Sequence, residues 1–326
     1  MYNNINGYLT KKDSLSKIVE SVNPDILALC ETKKASLTKK DELSEYSILE
    51  KNLKLGKEGL MVGVKKGSFL SIREITDTEL KSVMTVKIEY PHVNLRVIVA
   101  HAPQETDNHE ERKEFFEEML VQVERGITSG DATLVLADFN ARITHNKSSV
   151  VPENVVPEND SPNGKLLCDL IQKNNLKVGN FDNTCHGKWT RIQACKNGET
   201  KRSALDYVLL TEEVQKSLKS IVIDEQKIYC PYGVKKENGV QRIVFSDHCT
   251  ITTELNLEVG RVQKQSRKET RWRYSEEGYK VYEVESDASL DFDLSALSTT
   301  DIYGSWVACQ GAFGECLVEE VLKRSQ

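Results

Sequence analysis

The chain has 326 residues, 39% of them apolar and 29% charged, with a formal net charge of −6. This supports one large buried core, or one core and a small appendage, in a soluble globular protein. The polar start, Met1 to Thr10, and apolar runs as short as Ile26 to Cys30 exclude a bilayer-spanning helix and a secretory leader, so no membrane partner is expected.

In chain order, Asp13 or Ser14 is placed to cap a helix whose Leu15, Ile18, Val19 and Val22 share one face. Ile26 to Cys30 reads as a short buried strand ending at Glu31, and Gly59 to Val64 and Val93 to His101 as two more. Glu111 to Gln122 carries a helical pattern, Leu134 to Ala137 runs as a strand into Asp138, and Leu166, Leu167, Leu170 and Ile171 mark another helix. Tyr207 to Leu210 and Cys249 to Leu255 are late strands. Strand pairs interleaved with helices imply an α/β architecture of packed sheets covered by helices, with the chemistry on loops at one rim.

Beyond about residue 258 the alternation stops, which sets the expected domains at 1–257 and 258–326. Arg261 to Arg273 is basic, and an acidic tail follows. Residues 274–326 hold eleven acids against Lys280, Lys323 and Arg324, a net of −8, which leaves +2 on residues 1–273. The acidity is therefore a property of the tail and does not argue against a nucleic-acid enzyme. Basic groups at Lys33/Lys34, Lys196 to Arg202, Lys235/Lys236 and Arg261 to Arg273 can meet phosphates or can be solvated loops. Eight scattered cysteines form no Cys-x-x-Cys pair, so neither a zinc site nor a disulfide framework is expected. They fit a reducing intracellular compartment, nuclear or cytoplasmic.

The residues that could carry chemistry lie where strands begin or end: Asn4-Ile5-Asn6, Glu31, His101-Ala102-Pro103, Asp138-Phe139-Asn140, Asp206-Tyr207 and Ser246-Asp247-His248. Singly each is weak, since an Asp-x-Asn ordinarily makes an Asx-turn and an Asp-His is ordinarily a surface dipeptide. Together they supply hard oxygens for magnesium, an aspartate and histidines for protons, and asparagines to orient water or phosphate. That inventory fits phosphodiester hydrolysis. No Gly-x-Ser-x-Gly elbow, His-Glu-x-x-His or activated cysteine competes with it.

In this order, Asn4-Ile5-Asn6-Gly7, Glu31-Thr32, Ala137-Asp138-Phe139-Asn140 and Ser246-Asp247-His248 resemble the motifs of the endonuclease/exonuclease/phosphatase superfamily, from about residue 3 to 255. Lys188-Trp189-Thr190-Arg191, Ser203 to Leu209 and Asn163-Gly164-Lys165-Leu166-Leu167 resemble the endonuclease domains of non-LTR retrotransposons. Lys268 to Arg273 resembles the linker that leads such domains into a reverse transcriptase. The resemblance implies a deoxyribonuclease-I-like four-layer sandwich of two mixed sheets flanked by helices. It also implies a magnesium enzyme, with manganese as a substitute, that nicks DNA to leave a 3′-hydroxyl and partners a reverse transcriptase.

The implied roles are residue by residue. Glu31, helped by Asp247 and Asn6, holds the metal. Asp138 activates the attacking water, Asn140 fixes water or phosphate, and Asn4 orients Glu31 or a phosphate oxygen. Asp206 orients His248, which donates to the scissile phosphate, and Thr190 and Arg191 bind substrate.

Three departures stand out. His101 occupies the place of the tyrosine in the Tyr-x-Pro of retrotransposon and abasic-site enzymes, where a histidine can still protonate the leaving oxygen. The strand expected to anchor Asn4 is short or missing, so Asn4 is expected to be weakly held. Ala137 replaces a glycine, a mild change unless the backbone there needs positive φ. The remaining histidines, His92, His109, His145 and His186, read as surface residues. Two readings compete with the nicking enzyme: an abasic-site endonuclease, and a decayed or domesticated module that only binds nucleic acid or protein.

Overall fold

The computed structural model describes residues 1–257 except 35–42, 53–57, 69, 76–77, 91–92, 144–160, 196–197 and 238–239. The basic linker and acidic tail, and His92 and His145, lie outside the described residues. The first half of the chain gives β1 (Tyr2–Asn4), α1 (Tyr8–Val22), β2 (Ile26–Cys30), β3 (Tyr46–Lys51), β4 (Leu60–Lys65), β5 (Ser71–Glu74), β6 (Val83–Tyr90), β7 (Val93–His101), α2 (His109–Thr128) and β8 (Ala132–Asp138). The second half gives α3 (Pro162–Lys173), β9 (Lys177–Val178), β10 (Cys185–His186), β11 (Arg191–Ala194), β12 (Thr200–Ser203), β13 (Asp206–Leu210), α4 (Glu212–Lys216), β14 (Leu218–Ile223), β15 (Tyr232–Glu237), β16 (Val240–Phe245) and β17 (Ile251–Leu255).

Among the described residues two large mixed sheets form. The first has the order β10, β14, β17, β1, β2, β4, β3 and the second β5, β6, β7, β8, β13, β9; β11–β12 and β15–β16 are separate two-stranded ribbons. Parallel pairs (β1 with β2, β7 with β8) sit among antiparallel ones. The branched residues that predicted strands alternate between two faces. Val62, Val97, Val99, Leu136, Val208 and Ile251 fill the space between the sheets. Ile98, Val135 and Leu209 face α2 and α3, meeting Phe115, Met119 and Leu167. Leu27, Leu29 and Met61 meet Leu15 and Val19 of α1. The layers are thus helix, sheet, sheet, helix, as expected of the deoxyribonuclease-I-like sandwich.

Two local expectations change. The first helix begins at Tyr8, well before Asp13, because a side-chain cap is not what starts it. Gly7, at φ +103°, makes the turn, and the amides of Gly7 and Tyr8 donate to the carbonyls of Glu31 and Thr32 at 2.8 and 2.9 Å. The strand carrying Asn4 is short yet firmly held: β1 pairs in parallel with β2 and antiparallel with β17, and Tyr2, Asn3 and Asn4 are buried.

Candidate active site

His101, Asp138 and Asp206 stand in one row across three neighbouring strands. His101 is in register with Asp138 across β7 and β8, and Asp138 with Asp206 across β8 and β13. Register neighbours project from the same face of a sheet, so an imidazole and two buried carboxylates converge. Such carboxylates need compensation, and His248, just ahead of β17 on the other sheet, provides it. Its Nδ1 lies 2.8 Å from Asp206 Oδ2 and its Nε2 3.6 Å from Asp138 Oδ2. Burial opposes the imidazolium, but Asp206, Asp138 and Asp247 outweigh it and push the His248 pKa up to about 9. Burial also raises Asp206, with Asp138 adding to the effect and His248 opposing it.

From the first sheet, Asn4 Nδ2 donates at 2.9 Å both to Glu31 Oε1 and to Asp138 Oδ2, which ties the two sheets at the rim. The Asn4 carbonyl in turn accepts from Ser246 Oγ at 2.6 Å. Glu31 sits at φ +51°, a left-handed conformation uncommon for a glutamate and characteristic of functional loops. Burial disfavours its charge, yet His101, Lys33 and Asn4 hold it well below the usual carboxylate range. Lys33 Nζ is 2.7 Å from Glu31 Oε2, and His101 Nε2 is 3.2 Å from Oε1. Burial opposes a charged His101, but Glu31 and Asp138 raise its pKa.

The Asp138-x-Asn140 tripeptide makes the Asx-turn its sequence favours: Asn140 N donates to Asp138 Oδ1 at 2.9 Å, which leaves Oδ2 for Asn4. Asn140 Nδ2 donates to the Ala102 carbonyl at 2.8 Å. Ala137 lies within β8 with ordinary strand geometry, so its methyl costs nothing. A cavity of about 360 Å³ opens over this floor, lined by Asn6, Glu31, Lys33, Asp138, Asn140, Arg191, Asp247 and His248, with Gln104, Glu105 and Arg142 among the remainder.

One placement differs from the expected roles, and two others have partners of their own. Thr190 is fully buried, and its hydroxyl accepts from the amides of Leu205 and Asp206 at 2.9 and 3.0 Å, so it shapes the Asp206 strand and does not face substrate. Asp247 reaches the cavity but is engaged by Arg191 Nε at 2.7 Å; burial opposes its charge, and His248 and Arg191 keep its pKa low. Asn6 Oδ1 accepts from Lys33 Nζ at 2.7 Å. Among the described residues, the side chains within ligand distance of one another are Glu31, His101 and Asp138, and separately Asp138, Asp206 and His248.

From sequence, Lys33 read only as a basic group that could meet phosphate or lie in a solvated loop, with no link to Glu31, and Asn163 only as part of a motif with no task. Asn163 Nδ2 donates to the carbonyls of Pro103, Phe139 and Asn140 at 2.9, 3.3 and 3.2 Å, stapling the loops after β7 and β8. His109 and His186 are exposed, as expected.

The donor set fits a hard divalent cation. Glu31, His101 and Asp138 bring ligand atoms within 4.8 Å of one another, and the charge of Glu31 is balanced by a lysine and a histidine whose place beside it a cation could take.

The two-sheet frame, with this row of carboxylates and imidazoles at its rim, defines a class. The sequence model of the Endonuclease/Exonuclease/phosphatase family matches residues 4–248, and the chain belongs to that family. Among solved structures it is similar to the endonuclease domain of TRAS1, a telomere-specific non-LTR retrotransposon, at 14% identity and a TM-score of 0.55, covering 79% of this chain and 97% of that one. It is also similar to the 3′-5′ exonuclease NExo from Neisseria meningitidis (14% identity, TM-score 0.57, covering 78% and 98%). The AP endonuclease LMAP from Leishmania major shares the fold at 15% identity and a TM-score of 0.57, covering 78% and 86%. No curated protein sequence matches the chain. No helix among the described residues is long and apolar enough to cross a membrane.

Proposed function

We propose that this chain is a magnesium-dependent phosphodiesterase that nicks DNA and leaves a 3′-hydroxyl, in the manner of a retrotransposon endonuclease working beside a reverse transcriptase. The observation that carries this reading is the shared use of Asp138: one carboxylate within reach of Asn4, His101 and His248, with Asp206 behind His248. Solved neighbours with this fold include a retrotransposon endonuclease, a 3′-5′ exonuclease and an AP endonuclease. The choice among them rests on the Trp-Thr-Arg and Ser-x-Leu-Asp-Tyr motifs of this sequence.

Glu31, with Asp247 and Asn6 on the same cavity wall, would hold the metal, and a bound magnesium would supply charge neutralisation at a non-bridging phosphate oxygen. Asp138 accepts a proton from the attacking water as the new P–O bond forms. His248, kept cationic by Asp206, donates a hydrogen bond to the phosphate as its charge grows. The P–O3′ bond breaks, and the departing O3′ takes its proton from His101. Asn4 and Asn140 keep Asp138 in one orientation throughout.

A decayed binding module is disfavoured by the intact network, since each of these groups is buried or half-buried and has a partner. The test is supercoiled plasmid incubated with magnesium, with chelator and Asp138→Ala as controls. Nicking lost in both controls supports the enzyme, and no nicking with any divalent metal overturns it.

A further inference from the structure

Among the described residues, the cavity wall carries three pairs of a lysine or arginine with an acid: Lys33 with Glu31, Arg191 with Asp247 and Arg142 with Glu105. The first two engage acids placed at the metal, each at 2.7 Å. The third engages no residue of the reaction proposed above, and it is loose. Arg142 Nη1 lies 3.4 Å from Glu105 Oε2, and the two side chains are 44% and 25% exposed. Glu105 Oε1 is buried and has no partner among the described residues. A single-point pair this open to solvent adds little to stability, so stability does not account for its place in the wall.

The backbone that carries Arg142 is nonetheless fixed. Ala141 and Ile143 on either side are buried, and Arg142 is exposed between them. The start of α3 closes on it: Arg142 N donates to Ser161 Oγ, and Ser161 N donates to the Arg142 carbonyl, both at 3.0 Å. Gly164 leaves that carbonyl its room, since a Cβ there would clash with it. Glu105 stands on the turn after β7, where the Gln104 amide donates to Asp107 Oδ2 at 2.6 Å and the Asp107 amide to the Gln104 carbonyl at 2.9 Å. Glu105 uses Nη1 of the guanidinium, and the Nε–Nη2 edge has no partner among the described residues. Two parallel N–H donors on one edge are what a guanidinium offers a phosphate.

Building on the nuclease reading, we infer that Arg142 is a second phosphate contact: with Glu105 as its positioning residue, it binds the backbone phosphate next to the one that is cut. Arg142, Asp138 and His248 line one cavity, and a DNA strand cannot bring one phosphate to His248 without carrying its neighbours alongside. The test compares wild type, Arg142→Ala and Arg142→Lys in three measurements. These are affinity for a fluorescein-labelled duplex across salt in chelator, the ratio of plasmid nicking to bis(p-nitrophenyl) phosphate hydrolysis with magnesium, and melting temperature. Arg142→Ala should bind the duplex about tenfold more weakly, the scale of one charge-assisted contact. Its salt slope should be shallower by about 0.9, the share of one phosphate. The ratio of rates should fall about tenfold, because the small ester has no neighbouring phosphate, and the melting temperature should match wild type. Arg142→Lys should keep the slope at an intermediate affinity, since the charge stays and the fork is lost. Unchanged duplex affinity, a loss of affinity at unchanged slope, an unchanged ratio of rates, or a binding loss that follows a lowered melting temperature overturns the inference. A protein that hydrolyses neither plasmid nor ester with any divalent metal, yet shows the Arg142→Ala change in affinity and slope, keeps the phosphate contact and removes only the nuclease reading.

Discussion

His248 Nδ1 and Asp206 Oδ2 approach to 2.8 Å inside the rim, and this ion pair links the two sheets, since one residue precedes β17 and the other opens β13. The His248 pKa is raised from 6.5 to about 9. A raised pKa in the folded state means that folding favours the protonated ring. The resulting stability is complete below about pH 6.5 and is lost as the pH rises through about 9. The midpoint of thermal unfolding should therefore fall across that window. In Asp206→Asn the fall should begin at lower pH, and NMR titration should show the His248 pKa decreased. A His248 pKa unaffected by the substitution would contradict the pairing.

His101 is expected to act on the leaving oxygen. His101→Ala should reduce plasmid nicking by about a hundredfold or more, the usual scale for a lost proton donor. Undiminished nicking at saturating magnesium would remove His101 from the reaction.

Glu31 is expected to be the main metal contact. Magnesium should raise the wild-type melting temperature, because a ligand that binds only the folded state stabilises it. In Glu31→Gln that increment should vanish while the metal-free melting temperature stays near that of wild type. A magnesium-induced shift that persists in Glu31→Gln would place the metal elsewhere.

Thr190 tests the revised assignment of a residue first expected to touch substrate. Thr190→Val leaves the buried amides of Leu205 and Asp206 without an acceptor, at a cost of about 1–3 kcal/mol in urea unfolding. Thr190→Ser should restore it. If valine instead raised KM at unchanged stability, a substrate contact would be the better account.

Asn163 should act through position alone. Asn163→Ala removes the donor for three loop carbonyls and should cost about 3 kcal/mol, with kcat falling and KM little changed. An equal loss of affinity for DNA would mean that Asn163 does more than hold the loops.

What the sequence made legible and what it hid follow from the kind of information each residue carries. Strands such as Val93–His101 and Ile26–Cys30 were readable because branched and apolar runs between two layers have no other use. Asp138, Asp206 and His248 were readable as motifs at strand ends. The start of α1 was not readable, because its first amides are satisfied by the backbone of the Glu31 loop, a contact between segments distant in sequence. The anchoring of Asn4 was misjudged for the same reason: three residues look like too little strand until β2 and β17 are seen on both sides. Thr190 and Asp247 sit in motifs whose residue types suit substrate or metal equally with structure. The amides at Thr190 show its structural use, whereas Asp247, paired with Arg191, still lines the cavity.

The pairing of β7 with β8 places His101 opposite Asp138. A slip of one residue between these strands would turn the imidazole to the opposite face of the sheet and put alanine beside the aspartate. The spacing between imidazole and carboxylate is therefore inherited from the hydrogen-bond ladder itself, with no flexible segment between them to adjust it. A folding error here would part the two groups, and correct pairing sets their distance before any ligand arrives.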